Sequence, residues 1–253
     1  MYRQWSVSVV LPTYNERDSI KECIRRFERT GVVDEIIVVN NNAAPGTSEE
    51  VASTSAVEVM EDRQGYGSAI MRGLQEAGGD LVCICEPDGT FEPEDIFKLL
   101  AYCANVEIVY GTRTVGEFIW QDANMGWFIR LGNWAVAKLM EVLFNTNSLS
   151  DVGCTLRLLT RDAVATILPA AKETGNCFGA EMMLLSRILR MRSVQIPVNY
   201  RARVGDSSVT GRRIGAVKVG ARMIWLVLSY RTKAGRIRSR AAERASEIER
   251  AVA

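Results

Sequence analysis

The sequence contains no histidine among its 253 residues. This absence excludes catalytic pairs in which histidine activates serine or cysteine, and it excludes zinc sites of the HExxH type. Any metal ion would therefore be held mainly by carboxylates, and oxygen ligands favour Mg²⁺ or Mn²⁺. The six cysteines form no CxxC pair, so we expect neither a zinc knuckle nor a dithiol redox motif, and we expect a reducing compartment.

Long apolar runs are also missing. No stretch reaches the roughly 18 uninterrupted apolar residues of a membrane-spanning helix, and the N-terminus has no basic lead before its short apolar run. Residues 214–230 are apolar but are interrupted by Lys218 and Arg222. This pattern suits a helix that lies in the membrane interface, with Trp225 and Tyr230 at headgroup depth. The alternative is an amphipathic helix packed on the domain or in a dimer.

Positive charge is concentrated at the C-terminus. Residues 201–253 hold 13 Lys and Arg against 4 Asp and Glu, a net charge of +9, whereas residues 1–200 hold 18 against 26, a net charge of −8. A basic tail favours an anionic partner, and membrane phospholipid, polyprenyl phosphate and nucleic acid all qualify. A solvated helical tail explains the same charges.

Short β-branched runs alternate with helical patterns through the first half of the chain. We predict strands over 7–11, 36–39, 56–60, 81–85 and 106–110, separated by helices over 16–29, 48–53, 67–77 and 93–103. This alternation predicts an α/β fold with a mostly parallel sheet. The second half predicts helices over 124–144, 162–168 and 180–191, a strand over 194–200, and a helix from 212 onward. We expect one domain over 1–211 and a basic amphipathic helical tail over 212–253.

Polar and glycine-rich segments follow every predicted strand, at the sheet edge where parallel sheets bind ligands. Glu86 and Asp88 leave the same strand end, so both can face one divalent cation. Such a pair is weak evidence alone, because acidic pairs are common on turns. Gln64 and Gly65 open a helix whose N-terminus would favour phosphate. The same residues would also suit a plain strand-to-helix turn.

Five ordered blocks carry a family resemblance: VVLPTYNE, RQGYGSAIMRGLQEAGGD, EPDGTF, YGTRT and LSDVGCTLRLLTR. They resemble family 2 glycosyltransferases of the GT-A fold, and within that family they look most like the dolichyl- or polyprenyl-phosphate sugar synthases. The resemblance runs from about residue 7 to residue 208. It implies a Rossmann-like nucleotide-diphospho-sugar transferase domain that moves a sugar by single displacement with inversion.

The resemblance also implies the donor site. Asn40 stands where the family usually has an aspartate that contacts the base or ribose, and an amide there carries no charge. The metal ligands would be Glu86 and Asp88, with Thr90 at a position where some relatives use a third ligand. The residues implied in nucleotide-sugar binding are Pro12, Tyr14, Glu16, Asn40, Asn42, Gln64, Gly65, Glu86 and Asp88.

Arginines and one aspartate complete the implied catalytic group, which is Asp151, Arg157, Arg130 and Arg113. Guanidinium groups bind phosphate by two parallel hydrogen bonds, which suits arginine to this role. Asp151 would act as base toward a hydroxyl acceptor, or would orient Arg157 or the acceptor if the acceptor is a phosphate. The implied acceptor-phosphate residues are Arg130, Asn133, Arg203 and Ser207. Ser208 replaces the family's lysine, and Arg212 or Arg213 could supply that charge.

The leading hypothesis is a metal-dependent transferase that moves a sugar from a nucleotide-diphosphate sugar to a polyprenyl phosphate. It would be cytoplasmic and peripheral on the inner face of the membrane, would bind no nucleic acid, and has a homodimer as a candidate assembly. A soluble family 2 enzyme acting on a hydroxyl of a glycan or small molecule is the alternative. A non-catalytic nucleotide-sugar-binding protein is a further alternative. A nucleotidyltransferase fits less well, because PTYNE occupies the place of its glycine-rich, arginine-containing loop.

Overall fold

The computed structural model describes residues 1–120, 123, 126–146, 149–205 and 213–252. In this part of the chain one sheet has the strand order β3-β2-β1-β4-β6-β5-β7. β6 runs antiparallel to both of its neighbours, and every other pair of adjacent strands is parallel. The strands are β1 (Val7–Thr13), β2 (Glu35–Asn40), β3 (Val57–Met60), β4 (Leu81–Ile84), β5 (Ile108–Thr112), β6 (Arg157–Thr160) and β7 (Ser193–Pro197).

Helices cover both faces of this sheet, as the unbroken apolar character of its central strands requires. All seven residues of β1 are buried, with Val7, Val9 and Leu11 in one core cluster and Val10 in the other. The helices are α1 (Arg17–Arg29), α2 (Thr47–Ala52), α3 (Tyr66–Glu76), α4 (Ile96–Leu100), α5 (Trp127–Phe144), α6 (Arg161–Ile167), α7 (Phe178–Ile188) and α8 (Arg213–Val252). α1, α2 and α4 pack on one face, and α3, α5, α6, α7 and α8 contribute to the other core. The predicted α/β fold with a mostly parallel sheet is confirmed.

Several elements differ from the sequence prediction; the strand predicted over 194–200, for example, ends at Pro197. β6 was not predicted, because only two of its four residues are apolar and the helix before it does not connect parallel strands. Its antiparallel direction cannot be read from a strand–helix alternation, which reports only parallel units. The helix predicted over 93–103 is shorter, because it begins as a 3₁₀ turn at Pro93–Asp95 and ends with α4 at Leu100.

α8 is a 40-residue helix that packs against α5 and α7 along one side. The buried residues of that side belong to the larger core: Met223, Leu226, Val227, Tyr230 and Ala234. Another side of α8 carries exposed apolar residues, namely Val217, Ile224, Trp225 and Leu228. The described residues contain no helix with the length and apolar character needed to cross a membrane. The predicted boundary at residue 211 lies outside the described residues, and the division into domain and tail stays a prediction.

Candidate active site

The site lies at one edge of the sheet, where β1, β2 and β4 end side by side. The loop after β1 is held by Glu16, whose Oε2 accepts the backbone N–H groups of Tyr14 at 2.7 Å and Asn15 at 2.8 Å. Ser19 donates its hydroxyl to the carbonyl of Pro87 at 2.6 Å, which joins the start of α1 to the loop after β4. The two loops therefore present their carboxylates to the same space.

Asp88 is fully buried in the loop after β4. Its Oδ1 accepts the backbone N–H of Thr90 at 2.9 Å and the Thr90 hydroxyl at 2.5 Å. Its Oδ2 makes no hydrogen bond of standard geometry, although it forms a close ion pair with the guanidinium of Arg203. One oxygen of Asp88 is thus fixed by its own loop, and the other faces the guanidinium of Arg203.

Glu86 lies beside Asp88, with its Oε2 at 3.2 Å from Nη2 of Arg203. Burial and the neighbouring charge of Asp88 raise the pKa of Glu86 to about 8, against the opposing effect of Arg203 and Arg113. The shift has a simple cause, because two carboxylates in a site with little water cannot both ionise freely. A metal ion that binds this pair would therefore displace the proton of Glu86.

The chemistry of this donor set fits Mg²⁺ or Mn²⁺. No group of three or more His, Cys, Asp or Glu residues that could hold a metal occurs among the residues the structure describes. Mg²⁺ is nonetheless commonly held by one or two carboxylates, with substrate phosphates and water as its other ligands. Glu86 and Asp88 supply those carboxylates. Thr90 was predicted as a third ligand, but its hydroxyl donates to Asp88 and positions that carboxylate.

Three consecutive asparagines occupy the end of β2 and the two positions after it, and the middle one, Asn41, makes the most contacts with the neighbouring loop. Asn41 is 3% exposed, and its amide donates to the carbonyls of Glu61 at 2.6 Å and Arg63 at 3.0 Å. Its Oδ1 accepts the backbone N–H of Gly65 at 2.8 Å. Asn41 thereby fixes the loop that leads into α3, a role that the sequence analysis missed because it considered only Asn40 and Asn42.

The outer two asparagines are also engaged. Asn40 donates its amide to Glu58 at 2.8 Å and accepts the N–H of Ala43 at 2.8 Å, so its side chain is satisfied within the protein. Asn42 has a φ of 57° and donates to the side chain of Gln64 at 2.8 Å. Of the two, only Asn42 joins its loop directly to the predicted glycine-rich segment.

The N-terminus of α3 lies directly under the loop before α7. Gly65 has a φ of +148°, and a Cβ there would come within 2.2 Å of the carbonyl oxygen of Thr174. That same oxygen accepts the backbone N–H of Ser68 at 3.1 Å. Glycine is therefore required at this turn, and the predicted phosphate-binding N–H groups of this helix are in part already bonded.

A second charged group lies between β5 and the segment before β6. Asp151 is 1% exposed, and its carboxylate binds Arg113 at two points, with Nε–Oδ2 at 2.8 Å and Nη2–Oδ1 at 3.0 Å. It also accepts the backbone N–H groups of Arg113 and Gly153. Burial alone would raise the pKa of Asp151, but Arg113 and these N–H donors hold it below its usual value. Such a carboxylate is a poor proton acceptor and a good anchor for arginine.

Side chains of α5 also lie beside the Asp151–Arg113 pair. A Cβ at Gly153 would lie 2.6 Å from Oδ1 of Asn133 and 2.8 Å from Nη2 of Arg113, so these two side chains meet over the backbone of Gly153. Arg130, one turn earlier on α5, donates to the carbonyl of Thr114 at 3.0 Å. The structure thus brings together four of the predicted residues, namely Arg113, Arg130, Asn133 and Asp151.

Residues 8–168 match the sequence model of the family described as Glycosyl transferase family 2. The chain belongs to this family. The matched segment contains the acidic pair after β4, the asparagines after β2 and the Arg113–Asp151 pair, so the site described above is the family's own region of the chain.

Two known proteins are similar to this family 2 chain. Over 210 residues it is 26% identical to the low-salt glycan biosynthesis hexosyltransferase Agl6 of Haloferax volcanii, which covers 81% of this chain. The chain spans only 50% of that protein. It also resembles glucosyl-3-phosphoglycerate synthase of Mycobacterium tuberculosis in complex with Mn²⁺, UDP and glucosyl-3-phosphoglycerate, with a TM-score of 0.70 at 18% identity over 90% of this chain and 80% of that one. This likeness shows the GT-A fold.

Arg157, Pro12 and Tyr14 were also predicted in the site of this family 2 chain. Arg157 is 2% exposed, donates to the carbonyls of Cys154 and Gly179, and lies over the ring of Tyr110 at 5.2 Å. Its guanidinium is therefore directed into the protein. Pro12 is buried within β1, and Tyr14 is 44% exposed just beyond it. Ser207 lies outside the described residues, as do Ser208 and Arg212.

Proposed function

We propose that this chain is a metal-dependent, inverting glycosyltransferase that moves a sugar from a nucleotide-diphosphate sugar to a polyprenyl phosphate at the membrane surface. The observation that carries the choice of acceptor is the two-point contact between Asp151 and Arg113. A phosphate acceptor is ionised near neutral pH and needs no base, whereas an alcohol acceptor does. An aspartate held by arginine, with a lowered pKa, fits the first case better than the second.

The donor side of the proposed reaction rests on Glu86 and Asp88. Structures of the M. tuberculosis synthase hold Mn²⁺ or Mg²⁺ together with UDP, which supports a divalent ion at the corresponding edge of this fold. When bound, such an ion neutralises negative charge on the leaving diphosphate. Glu86 and Asp88 would hold it, Thr90 would orient Asp88, and Asn41 and Gly65 would shape the loop beside the nucleotide.

The acceptor side rests on Arg113, Arg130 and Asn133. Arg113 is fixed by Asp151, which leaves its guanidinium with a defined direction and little entropy to lose when a phosphate binds. An acceptor phosphate held there would attack the anomeric carbon from the face opposite the nucleotide, which inverts that centre. The protein's contribution is positioning and charge stabilisation rather than proton transfer.

The membrane part of the proposal rests on exposed apolar residues of two helices that pack together. α5 exposes Trp127, Phe128, Leu131 and Trp134, and α8 exposes Val217, Ile224, Trp225 and Leu228. Exposed basic residues of α8 lie near them, including Lys218, Arg222 and Arg231. Aromatic and apolar side chains beside cations are the pattern of a helix that binds an anionic lipid surface. The protein would act on the cytoplasmic side of the membrane, peripherally.

The acceptor test uses purified protein with Mg²⁺ or Mn²⁺, a panel of UDP-, GDP- and dTDP-sugars, and undecaprenyl phosphate. Mass spectrometry should find a glycosyl phospholipid with one of the donors. The product should vanish in Asp88→Asn and persist in Asp162→Asn, a matched change at an exposed aspartate of α6, beyond the opposite edge of the sheet. Donor turnover without a lipid product would reject the polyprenyl phosphate acceptor. Failure to bind any nucleotide sugar would reject both the transferase and the non-catalytic nucleotide-sugar-binding alternative.

A second candidate is transfer to a small or glycan acceptor. It is favoured by the comparison structures of the M. tuberculosis synthase, which hold phosphoglyceric acid, and by the name of the H. volcanii relative, which assigns it to glycan biosynthesis. The same assay with phosphoglyceric acid and with oligosaccharides in place of the lipid separates the candidates. A sugar found on a phosphate group would keep the positioning role of Asp151, and a sugar found on a hydroxyl of either acceptor would contradict it.

Membrane binding has its own test. The double variant Trp225→Ser and Leu228→Ser should sediment less with vesicles that contain anionic phospholipid, by about tenfold or more, because it removes two large apolar groups from the interface. Val57→Ser removes an exposed apolar group from β3, at the far edge of the sheet, and should sediment like the wild type. Equal binding of all three proteins would reject the role given to α8.

A further inference from the structure

Backbone hydrogen bonds hold the segment after Tyr200 against the loop that carries Asp88. The N–H of Arg201 donates to the carbonyl of Thr90 at 2.8 Å, and the N–H of Val204 donates to the carbonyl of Asp88 at 2.8 Å. Gly89 has a φ of +80°, and a Cβ there would approach Cγ2 of Val204 to 3.0 Å. Arg203 lies between these two hydrogen bonds, so its backbone is held at a fixed place beside the acidic pair.

Arg203 is surrounded by three carboxylates. Its guanidinium forms a close ion pair with Asp88, lies 3.2 Å from Glu86, and lies 3.8 Å from Glu16. The carboxylates are well shielded from water, with side-chain exposures of 1% for Asp88, 15% for Glu16 and 22% for Glu86. In the described part of the chain, no other Lys or Arg forms an ion pair with any of the three.

This arrangement places a cation of the protein's own among the groups that would hold the metal. Carboxyl groups with so little water around them ionise only beside a positive charge, because unpaired buried charge is strongly unfavourable. Burial would lower the pKa of Arg203, but the charges of Asp88, Glu86 and Glu16 raise it above its usual value, so this side chain remains a cation. A divalent ion and a guanidinium at the same carboxylates would repel each other.

We propose that Arg203 competes with the divalent cation for Glu86 and Asp88, and so makes cation binding depend on the nucleotide diphosphate. Without ligands, Arg203 is the counter-ion of Asp88 and contacts Glu86. To admit the cation it must leave the carboxylates, and a diphosphate offers it a new two-point anionic partner. This inference deepens the proposed function and rests on it for the identity of the diphosphate ligand, but not for the acceptor.

The proposal makes binding of the cation and of the nucleotide mutually dependent. Because linkage is reciprocal, UDP should tighten Mn²⁺ binding by the same factor by which Mn²⁺ tightens UDP binding. Coupling between two sites is commonly about 5- to 150-fold, and we expect a value in that range for the wild type. Removing the guanidinium should remove much of this dependence, since Glu86 and Asp88 would then lack a competing cation.

The experiment measures Mn²⁺ binding by electron paramagnetic resonance, in which free Mn²⁺ is counted directly and no turnover is needed. Arg203→Gln should bind Mn²⁺ in the absence of nucleotide at least about tenfold more tightly than the wild type. The matched control is Arg201→Gln, which removes an arginine of the same segment that pairs with Glu92 instead. That variant should bind Mn²⁺ like the wild type.

Unchanged or weaker Mn²⁺ binding by folded Arg203→Gln would overturn the proposal, as would tight nucleotide-independent Mn²⁺ binding by the wild type. Circular dichroism and the thermal midpoint report whether each variant folds. If Arg203→Gln does not fold, Arg203→Lys keeps one positive charge without the two-point geometry, and its Mn²⁺ affinity should lie above that of the wild type. The acceptor plays no part in these measurements, so a wrong acceptor would leave their outcome unaffected.

Discussion

The carboxylate of Asp151 and the guanidinium of Arg113 meet edge to edge, with both oxygens and two nitrogens in contact at 2.8 and 3.0 Å. Asp151 lies in the segment before β6 and Arg113 directly after β5, so this contact joins two neighbouring antiparallel strands at their ligand-binding edge. The ring of Tyr200 lies 5.1 Å from the same guanidinium. Arg113 is thus restrained on two sides before any substrate arrives.

Asp151→Asn should lower kcat/KM by about 100-fold, because a neutral amide cannot hold Arg113 at two charged points and a small displacement of a positioning group has an effect of this order. A positioning role predicts that the pH dependence of kcat/KM keeps its shape while its height falls. Steady-state assays of both proteins from about pH 5 to about pH 9 would measure it. Loss of a limb of the wild-type profile in Asp151→Asn would show instead that Asp151 is the base.

The pKa of Glu86 predicts how cation binding depends on pH. Its value of about 8 means that most of this carboxyl is protonated in the metal-free protein at neutral pH. A cation binds the ionised form, so Mn²⁺ affinity should rise as pH rises toward about 8, by up to tenfold per unit, and should level off above it. Calorimetric titration with Mn²⁺ at several pH values would measure this slope.

A matched variant tests whether Glu86 causes this pH dependence of Mn²⁺ affinity. Glu86→Gln cannot gain or lose a proton at this position, so its weaker Mn²⁺ binding should be nearly flat over the same pH range. A wild-type affinity that does not change with pH would contradict the raised pKa. A slope that survives in Glu86→Gln would move the titration to another group.

The order of strands and helices was predictable wherever each strand is buried on both faces and is followed by a crossover helix. β1, β2 and β4 satisfy this condition, and so the edge that carries Glu86 and Asp88 could be placed from sequence alone. β6 does not satisfy it, and its antiparallel direction came only from the structure. Residue types also indicated phosphate-binding arginines without showing which way each side chain points. Arg113 and Arg157 were both predicted in the catalytic group, but Arg113 lies at the ligand edge, whereas Arg157 donates to backbone carbonyls inside the protein.

Asparagines after β2 show the same limit at the level of single residues. Asn40 was selected because it stands at the position of a family aspartate, yet its amide is engaged by Glu58 and its oxygen by Ala43. Asn41 binds the loop over 61–65 from both ends of its amide. Sequence gives the composition of such a turn, whereas the partners of each amide depend on loops that are distant in the chain.

Gly67→Ala should destabilise the fold, because a Cβ at this position would come within 2.3 Å of the carbonyl oxygen of Glu173. Inserting a methyl group into such a contact typically costs about 1–3 kcal/mol. Gly235→Ala is the control, since a Cβ at Gly235 in α8 meets nothing within 4 Å and alanine favours a helix by up to about 1 kcal/mol. Urea denaturation of both variants measures the difference. Equal free energies of unfolding would show that the loop before α7 shifts to accommodate the methyl group without loss of stability.

Arg157→Lys should reduce stability and leave the chemistry of the folded protein intact. The guanidinium donates to the carbonyl of Cys154 from two nitrogens, at 2.9 and 2.8 Å, and donates to the carbonyl of Gly179 as well. A lysine ammonium cannot reproduce this planar set, and each lost charged hydrogen bond is worth about 1.5–3 kcal/mol. We expect a loss of about 2 kcal/mol or more in the free energy of unfolding, measured by urea denaturation.

The KM of Arg157→Lys for the donor sugar should stay within about twofold of the wild type, because the side chain is directed into the core rather than toward the ligand edge. A tenfold rise in that KM with unchanged stability would restore Arg157 to the diphosphate site that its sequence context suggests.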